Sequence, residues 1–149
     1  MQTFLPFPSF KKSAEVLDTK RLGNQRNEAL TVYRTIHNPH AKAWKHHPCT
    51  RMWSAYSEAL AMYYNEIVME WVKRGYENHM QYLPIHQNQL KYPPWIGNVN
   101  FHSSHRAALL YKNFKWYSQF GWIERPKIQY IWPIYNEQST FINAFGDRT

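Results

Sequence analysis

The stretch PCTRMWSAYSEALAMYYNEIVMEWVKRG, residues 48–75, carries the clearest helical pattern in the chain. Large apolar residues recur in it at steps of three and four, which is the period of one helix face. They are Met52, Tyr56, Leu60, Tyr63, Ile67 and Trp71. Pro48 suits the first turn of a helix, and Gly75 suits the position just beyond a helix end. We therefore predict a helix over about 48–74 at the centre of an all-α fold.

A second helix is predicted upstream, over about 13–36. Leu22, Ala29 and Ile36 mark one apolar stripe along it, and Arg26 intrudes into that stripe. A single long helix before the central one is therefore expected, with a polar side opposite the apolar stripe.

A third helix is predicted over about 103–120, with Ser103 or Ser104 suited to cap its start. The connection over 76–98 contains three prolines and no sustained period, so we expect a long, aromatic-packed loop there, with room for one short helix. The residues over 125–149 are predicted to form an irregular extension, either extended segments or a short hairpin.

Size and composition favour a compact globular protein. A chain of 149 residues fits one domain over 1–149, and an aromatic content of 17% argues against disorder. No apolar run approaches the roughly 20 residues of a membrane helix, and the first residues lack the layout of a signal peptide. Cys49 is the single cysteine, which excludes an internal disulfide. We expect a soluble, cytoplasmic monomer.

Positive charge is concentrated in the first third of the chain. Residues 1–51 contain nine Lys or Arg against three Asp or Glu, and the whole chain carries a formal net charge of +8. The stretches 29–57 and 78–123 contain no acidic residue. Such a charge distribution attracts polyanions, and a merely basic soluble protein is the alternative.

The helix over 13–36 presents an unusual polar surface. Amides and arginines read phosphates and bases, whereas an ordinary surface helix alternates Glu and Lys. Gly23 lowers the stability of a helix relative to alanine, and a close approach by another backbone would explain its presence there. Glu28 is the only acidic residue between Asp18 and Glu58, so it suits chemistry better than affinity for a polyanion. The candidate nucleic-acid contacts on this helix are Lys20, Arg21, Asn24, Gln25, Arg26 and Asn27.

A second group of candidate nucleic-acid contacts lies on the helix over 103–120 and just before it. Phosphate contacts near the helix start are favoured over a metal site, because His102 and His105 lack an evident third ligand. Aromatic residues beside lysines also suit stacking on unpaired bases, although core packing is the alternative for them. The candidates are His102, His105, Arg106, Lys112, Lys115, Trp116 and Tyr117. No metal and no organic cofactor is expected.

Three blocks of the sequence, in this order, resemble the pyrimidine-dimer DNA glycosylase/AP lyase family of small all-α repair enzymes, in a branch found in bacteria and their phages. They are the helix around Leu22 and Glu28, the segment W..Y..AL......I..EWVKRGY, and the segment HSSHRAALLYKNFKWYSQFG. The resemblance covers most of residues 13–122.

The resemblance implies which residues carry the chemistry. Aligned on Leu22, the family's catalytic glutamate falls at Glu28. The family's nucleophile is the amine of an N-terminal threonine, and here the first three residues are Met1, Gln2 and Thr3, which are therefore the candidates. The implied activity is excision of a damaged or modified base from double-stranded DNA, with strand nicking if the terminal amine attacks.

Two rival interpretations come from other classes. In a non-catalytic nucleic-acid-binding module, Glu28 would only pair with Arg21 or Arg26 on its own helix. In a metal-dependent hydrolase, His102 and His105 would be ligands, and activity would depend on magnesium or zinc.

Overall fold

The computed structural model describes residues 1–135 and 141–146. Across these residues the chain forms six α-helices and two short 3₁₀ turns, followed by two strands. The helices are α1 (Phe10–Val16), α2 (Thr19–His37), α3 (Pro48–Trp53), α4 (Ser57–Lys73), α5 (Val99–Lys112) and α6 (Phe114–Tyr117). The predicted all-α class is confirmed. Each of the three long helices predicted from the sequence is, however, interrupted.

The helix predicted over 13–36 is two helices, with a break at Leu17 and Asp18. Ser9 caps α1 by accepting a hydrogen bond from the amide of Lys12, and Leu17 is extended, with φ −68° and ψ 136°. The Asp18 amide donates to the hydroxyl of Tyr117 at 3.0 Å. The break therefore depends on a residue 99 positions away in the chain.

The helix predicted over 48–74 divides at Ser54–Tyr56 into α3 and α4. Pro48 occupies the first turn of α3 as predicted, and Gly75 follows α4 with a φ of +89°. The amide of Tyr56 donates to the carbonyl of Trp53 at 2.7 Å, which closes a tight turn between the two helices.

The helix predicted over 103–120 begins earlier and divides at Asn113. Asn98, rather than Ser103 or Ser104, caps α5 by accepting from the amide of Phe101. Asn113 ends α5 and caps α6. Only Gln87–Gln89 forms a short 3₁₀ turn within the long 76–98 loop, as expected.

The buried residues form a core around α4, which packs against α1 and α2. Tyr63 and Ile67 of α4 are fully buried, as are Leu22 and Val32 of α2. A Cβ added at Gly23 would lie 3.0 Å from the Trp71 ring. Gly23 thus admits an indole of the chain itself, and not the second backbone that the sequence suggested.

The C-terminal extension contains an antiparallel pair of strands, β1 (Tyr130–Tyr135) and β2 (Phe141–Gly146), with Tyr130 opposite Gly146. β1 packs against α3 and α5 and buries Tyr130 and Trp132. The hairpin alternative for the extension is therefore the one observed. Residues 136–140 and 147–149 of that extension lie outside the described residues. Within the described part of the chain, no helix has both the length and the apolarity to cross a membrane.

Candidate active site

A cleft of about 300 Å³ opens between the start of α2, the end of α5, the N-terminal arm and β1. We name it the Glu28 cleft, because Glu28 is the single carboxylate among the described residues that line it. Its lining residues are Met1, Gln2, Phe4, Lys20, Arg21, Asn24, Gln25, Glu28, Lys112 and Tyr130. The cleft therefore brings one acid, three basic side chains and the chain terminus together.

Glu28 is partly withdrawn from solvent in this cleft. Burial raises the pKa of its carboxyl group, and three smaller effects oppose that rise: the positive N-terminal amine, the Lys112 ammonium and a hydrogen bond from Gln25. The net pKa is above the ordinary value for a glutamate. A carboxyl group tuned in this way can exchange a proton nearer to neutral pH than an exposed one.

Gln25 links Glu28 to the N-terminal arm. Its Nε2 donates to Glu28 Oε2 at 2.6 Å and to the backbone carbonyl of Gln2 at 2.9 Å. Its Oε1 accepts from the amide of Phe4 at 3.0 Å and from the Tyr63 hydroxyl at 2.7 Å. Because Gln25 is fully buried and all these bonds are internal, its predicted role as a DNA contact is corrected to one of positioning.

His102 and His105 hold the same arm from the opposite side. The amide of Leu5 donates to His105 Nδ1 at 2.9 Å, and the carbonyl of Leu5 lies 2.8 Å from His102 Nδ1. His102 Nε2 accepts from the amide of Gly97, so its Nδ1 is the protonated nitrogen that donates to Leu5. Burial lowers the pKa of His105 to about 3 and also lowers that of His102. Both rings are neutral and buried, which corrects their predicted contact with phosphate.

Arg106 is also committed to internal partners. Its Nε lies 3.0 Å from Glu124 Oε2, and its Nη1 donates to the carbonyl of Pro6 at 2.7 Å. Ser103 donates to the same Glu124 oxygen at 2.9 Å. The Arg106 guanidinium therefore links the arm to the segment after α6. Its predicted role as a phosphate contact is corrected to a structural one.

Thr3 lies in the middle of the arm and is completely buried. Trp53 Nε1 donates to its hydroxyl at 2.9 Å, and its amide donates to the side-chain oxygen of Gln2 at 2.9 Å. Its nitrogen is a peptide amide, so Thr3 is removed from the candidate nucleophiles. Cys49 lies 3.7 Å from the Thr3 hydroxyl, and burial raises the pKa of its thiol to about 12. A reactive thiolate at Cys49 is therefore not favoured either.

Met1 and Gln2 remain as candidates, since both line the Glu28 cleft. Gln2 is buried, and its Nε2 has no hydrogen-bond partner in the described part of the chain. An unpaired donor that is buried in this way carries a desolvation cost.

Several predicted DNA contacts do line the cleft. Lys20 and Asn24 are exposed, and Arg21 forms an ion pair with Asp18 at 3.1 Å. Lys112 reaches the cleft from the end of α5. Burial lowers the pKa of Lys112, as do the positive charges of Arg21 and Lys20, while Glu28 opposes them. Lys20, Arg21 and Lys112 thus form a cationic wall in the cleft that also contains the Glu28 carboxylate.

Arg26 points elsewhere. Its guanidinium carbon lies 4.2 Å from the centre of the Trp71 ring, and its Nη1 donates to Asn78 at 2.9 Å. It fixes the loop after α4, so its predicted DNA contact is corrected to a structural role. Asn27 is exposed but does not line the cleft.

The aromatic segment after α5 divides into buried and exposed residues. The Tyr117 hydroxyl donates to the carboxylate of Asp18, and the Tyr117 ring is buried and stacks on Trp122 at 5.6 Å. Its predicted stacking on a base is therefore corrected. Trp116 is 36% exposed and donates to the carbonyl of Val16, and Lys115 is exposed. The predicted DNA contacts of these two residues stay open.

Two lining residues, Phe4 and Tyr130, were missed by sequence reasoning. Phe4 was assigned to an apolar arm with no reason to reach a site, and Tyr130 lies in the extension outside the three recognised blocks. No local signal in the sequence identifies either one, because each reaches the cleft only through the packing of the arm and of β1.

The metal interpretation has no support from the geometry. Both imidazole nitrogens of His102 form hydrogen bonds with backbone groups of Gly97 and Leu5. The Nδ1 of His105 accepts a hydrogen bond from the Leu5 amide. Over residues 1–134, where side chains are described, no group of three or more His, Cys, Asp or Glu could hold an ion.

Comparison with known proteins identifies one family. The sequence model of the pyrimidine dimer DNA glycosylase family matches residues 1–83, which include the arm, α2 and α4. No curated protein and no solved structure matches the chain.

Proposed function

The chain belongs to the pyrimidine dimer DNA glycosylase family, and we propose that it excises a damaged base through attack by the α-amine of Met1, assisted by Glu28. The family supports a DNA glycosylase that acts in DNA repair. The nucleophile, the flipping of a nucleotide, the nicking of the strand and the residue roles below are the proposal.

One observation carries the proposal: the chain terminus and Glu28 line one cleft, and Gln25 bonds to both sides of it. An α-amine is a better nucleophile at neutral pH than an ordinary lysine, because it holds its proton less tightly. The arm that carries it is buried from Gln2 to Pro6. Its position is therefore fixed relative to Glu28, which favours reaction.

In the first step, the neutral amine adds its lone pair to C1′ of the extruded nucleotide. The bond between C1′ and the base breaks, its electron pair leaves with the base, and the base takes up a proton. Positive charge develops on the sugar during this step, and the Glu28 carboxylate stabilises it. Extruding the base costs a few kcal/mol, and least for a damaged one.

In the second step, the sugar ring opens. The attacking nitrogen gives a proton to the Glu28 carboxylate, and the protonated Glu28 passes it to O4′ as the C1′–O4′ bond breaks. The nitrogen lone pair then forms a protonated imine that joins C1′ to the chain terminus. The Glu28 carboxylate then removes a proton from C2′, and the C3′–O bond to the 3′ phosphate breaks, which nicks the strand. Hydrolysis of the imine frees the terminus. The raised pKa of Glu28 suits this alternation between acid and base.

The basic wall of the cleft is proposed to hold double-stranded DNA, bound by a monomer. Lys20, Arg21 and Lys112 supply positive charge for the phosphates beside the extruded nucleotide. The exposed side chain of Asn24 lines the cleft and is placed to donate to the nucleotide itself.

The rival binding module loses its main support. That interpretation required Glu28 to pair with Arg21 or Arg26, yet Arg21 pairs with Asp18 and Arg26 bonds to Asn78. Glu28 instead accepts from Gln25 at the mouth of a cleft.

The test is borohydride trapping on DNA that contains a pyrimidine dimer or an abasic site. We expect a covalent adduct whose peptide map places the link at Met1, or at Gln2 if the methionine has been removed. Glu28→Gln should abolish base release while DNA affinity stays equal or rises, because a negative charge leaves a basic cleft. A variant with one residue added before Met1 is the matched control, since it moves the amine by about 3.5 Å and should lose the adduct while binding normally.

Each alternative outcome has a distinct meaning. A link at Lys20 or Lys112 would move the nucleophile from the terminus to a lysine of the same cleft. Base release without an adduct would mean a glycosylase that uses water. A Glu28→Gln variant that binds normally and excises at the wild-type rate would end the role of Glu28.

A further inference from the structure

A second concavity lies on α2 beyond the Glu28 cleft. It has a volume of about 420 Å³ and is formed by the C-terminal half of α2 and the loop that follows it. We name it the Trp44 groove. Its lining residues are Thr31, Arg34, Thr35, Asn38, His40, Ala41, Lys42, Ala43 and Trp44.

The groove continues the cleft along one face of α2. Arg21, Asn24 and Glu28 line the cleft, and Thr31 and Thr35 line the groove. Their spacing of three, four, three and four residues places all five on the same side of the helix. From Arg21 to Thr35 the helix rises about 21 Å, which matches about six nucleotides of one DNA strand.

The charge of the groove suits a polyanion. Arg34 and Lys42 are exposed in it, and no carboxylate occurs among its lining residues as the structure describes them. The carboxyl end of a helix carries partial negative charge, so a phosphate can bind there only if cations offset it. The chain contains no acidic residue over 29–57.

Trp44 is held in an unusual conformation. Its φ is +64°, the only positive value of a non-glycine residue over the described residues. Bulky side chains rarely adopt this backbone conformation, and such strain occurs preferentially at functional positions. The ring is nevertheless 47% exposed. Its edge contacts His47 at 5.5 Å, and the His47 amide donates to the Trp44 carbonyl at 3.2 Å.

The loop also lies close to the chain terminus. Burial lowers the pKa of His47, and the positive N-terminal amine lowers it further. His47 in turn contacts Trp132 of β1, whose first residue, Tyr130, lines the Glu28 cleft. Trp44 is therefore connected to the Glu28 cleft through His47 and β1.

We propose that the Trp44 groove binds the DNA strand that flanks the target nucleotide, with its phosphates at Arg34 and Lys42 and an unstacked base on the Trp44 ring. The inference rests on the proposed function, since the cleft supplies the position of the target nucleotide. A base left without its neighbour after nucleotide extrusion gains a stacking partner on the exposed indole, and every base offers a face for such a contact.

The test measures binding, so it does not depend on catalysis. The probe is duplex DNA with a stable abasic-site analogue, shortened stepwise on either side of the analogue, and affinity is read by fluorescence anisotropy. On the long duplex, Trp44→Ala should weaken binding about 5- to 100-fold, which is the range for one base–aromatic stack. Trp44→Phe should keep most of the affinity. When the flank that reaches the groove is removed, the wild-type protein should bind no better than Trp44→Ala.

Lys42→Ala is a second variant, because this exposed lysine can be changed without altering the core. The substitution should reduce the salt dependence of DNA binding on the long duplex and not on the shortened one. Matched controls are Tyr92→Ala, an exposed tyrosine that packs on Phe10, and Lys73→Ala, an exposed lysine beside Glu70. Neither control should change affinity.

The outcomes separate this inference from the catalytic proposal. Loss of affinity in Trp44→Ala and Lys42→Ala that depends on flank length supports the groove, even if no base is ever released. Wild-type affinity of both variants at every flank length overturns it, even if excision proceeds. An equal loss in Tyr92→Ala would also overturn it, because the effect would then not belong to this surface.

Discussion

Replacing Gln25 by leucine should release the N-terminal arm from Glu28 while leaving the proposed DNA contacts in place. Gln25 is fully buried and is bonded to the arm at Gln2 and Phe4, to Glu28 and to Tyr63. Leucine has a similar volume, so packing is largely kept while every one of these bonds is lost.

The cost to stability follows from the groups left unpaired. The Phe4 amide loses its acceptor and the Gln2 carbonyl loses its donor, and a buried unpaired group costs about 1–3 kcal/mol. The Tyr63 hydroxyl keeps its bond to the Phe4 carbonyl, so no further group is left unpaired on that side. We therefore expect a loss of about 3 kcal/mol, or about 6–12 °C in melting temperature for a chain of this size.

The effect on catalysis should be larger than the effect on binding. A displacement of about 1 Å between reacting groups can cost about 100-fold in rate. Single-turnover excision by Gln25→Leu should fall by about that factor, with DNA affinity within about twofold of wild type. Asn24→Ala is the matched control on the neighbouring exposed position, and it should weaken binding with unchanged stability. A Gln25→Leu protein that melts at the wild-type temperature and excises at the wild-type rate would refute the role of Gln25 in holding the arm against Glu28.

Two further predictions concern charge. Arg21→Ala should weaken DNA binding and reduce the slope of log affinity against log salt by about one. Arg26→Ala should leave that slope unchanged and lower the free energy of unfolding by about 1–2 kcal/mol, because the contact with Trp71 is lost. A changed slope in Arg26→Ala would contradict the structural role of Arg26. For His105, the folded-state pKa is about 3, below the ordinary value of 6.5, so the unfolded chain binds the extra proton between these values. The contribution of His105 to stability should therefore be fully present above pH 6.5 and be lost as the pH falls below it, by at most about 1.4 kcal/mol per pH unit. Urea titrations should show a weaker dependence of unfolding free energy on pH for His105→Gln, which keeps an acceptor for the Leu5 amide.

The central helix illustrates what the sequence could predict. The three- and four-residue spacing from Met52 to Trp71, with Pro48 before it and Gly75 after it, requires only local chemistry. Its interruption at Tyr56 was missed, since a tight turn between two helices preserves the apolar period on both sides. Helix existence follows from periodicity, whereas helix ends depend on individual caps.

The candidate site was predictable only in part. Glu28 is exceptional in the sequence because it is a lone acid, and it does lie in a cleft. The misassigned residues Gln25 and His105 have polar side chains whose partner is a backbone far away: the Leu5 amide that His105 accepts from is 100 residues distant. An extended arm has no period of its own, so nothing local predicts which side chains will satisfy it. The sequence does contain a signal for the Trp44 groove, because the polar face of α2 continues from Glu28 to Thr31 and Thr35.

The way the arm is bonded explains how a chain terminus can act as a fixed catalytic group. Chain ends are ordinarily mobile unless something ties them down. Here the arm forms no helix or strand, and the carbonyls of Gln2, Phe4 and Leu5 are met by side chains of α2, α4 and α5, respectively. A strand pairing would fix the arm along a single neighbour, but bonds to three helices fix it in all directions. Because Gln25 bonds to both the arm and Glu28, the distance between the terminal amine and the carboxylate depends on the packing of the helices. The proposed reactive pair therefore forms only in the folded protein.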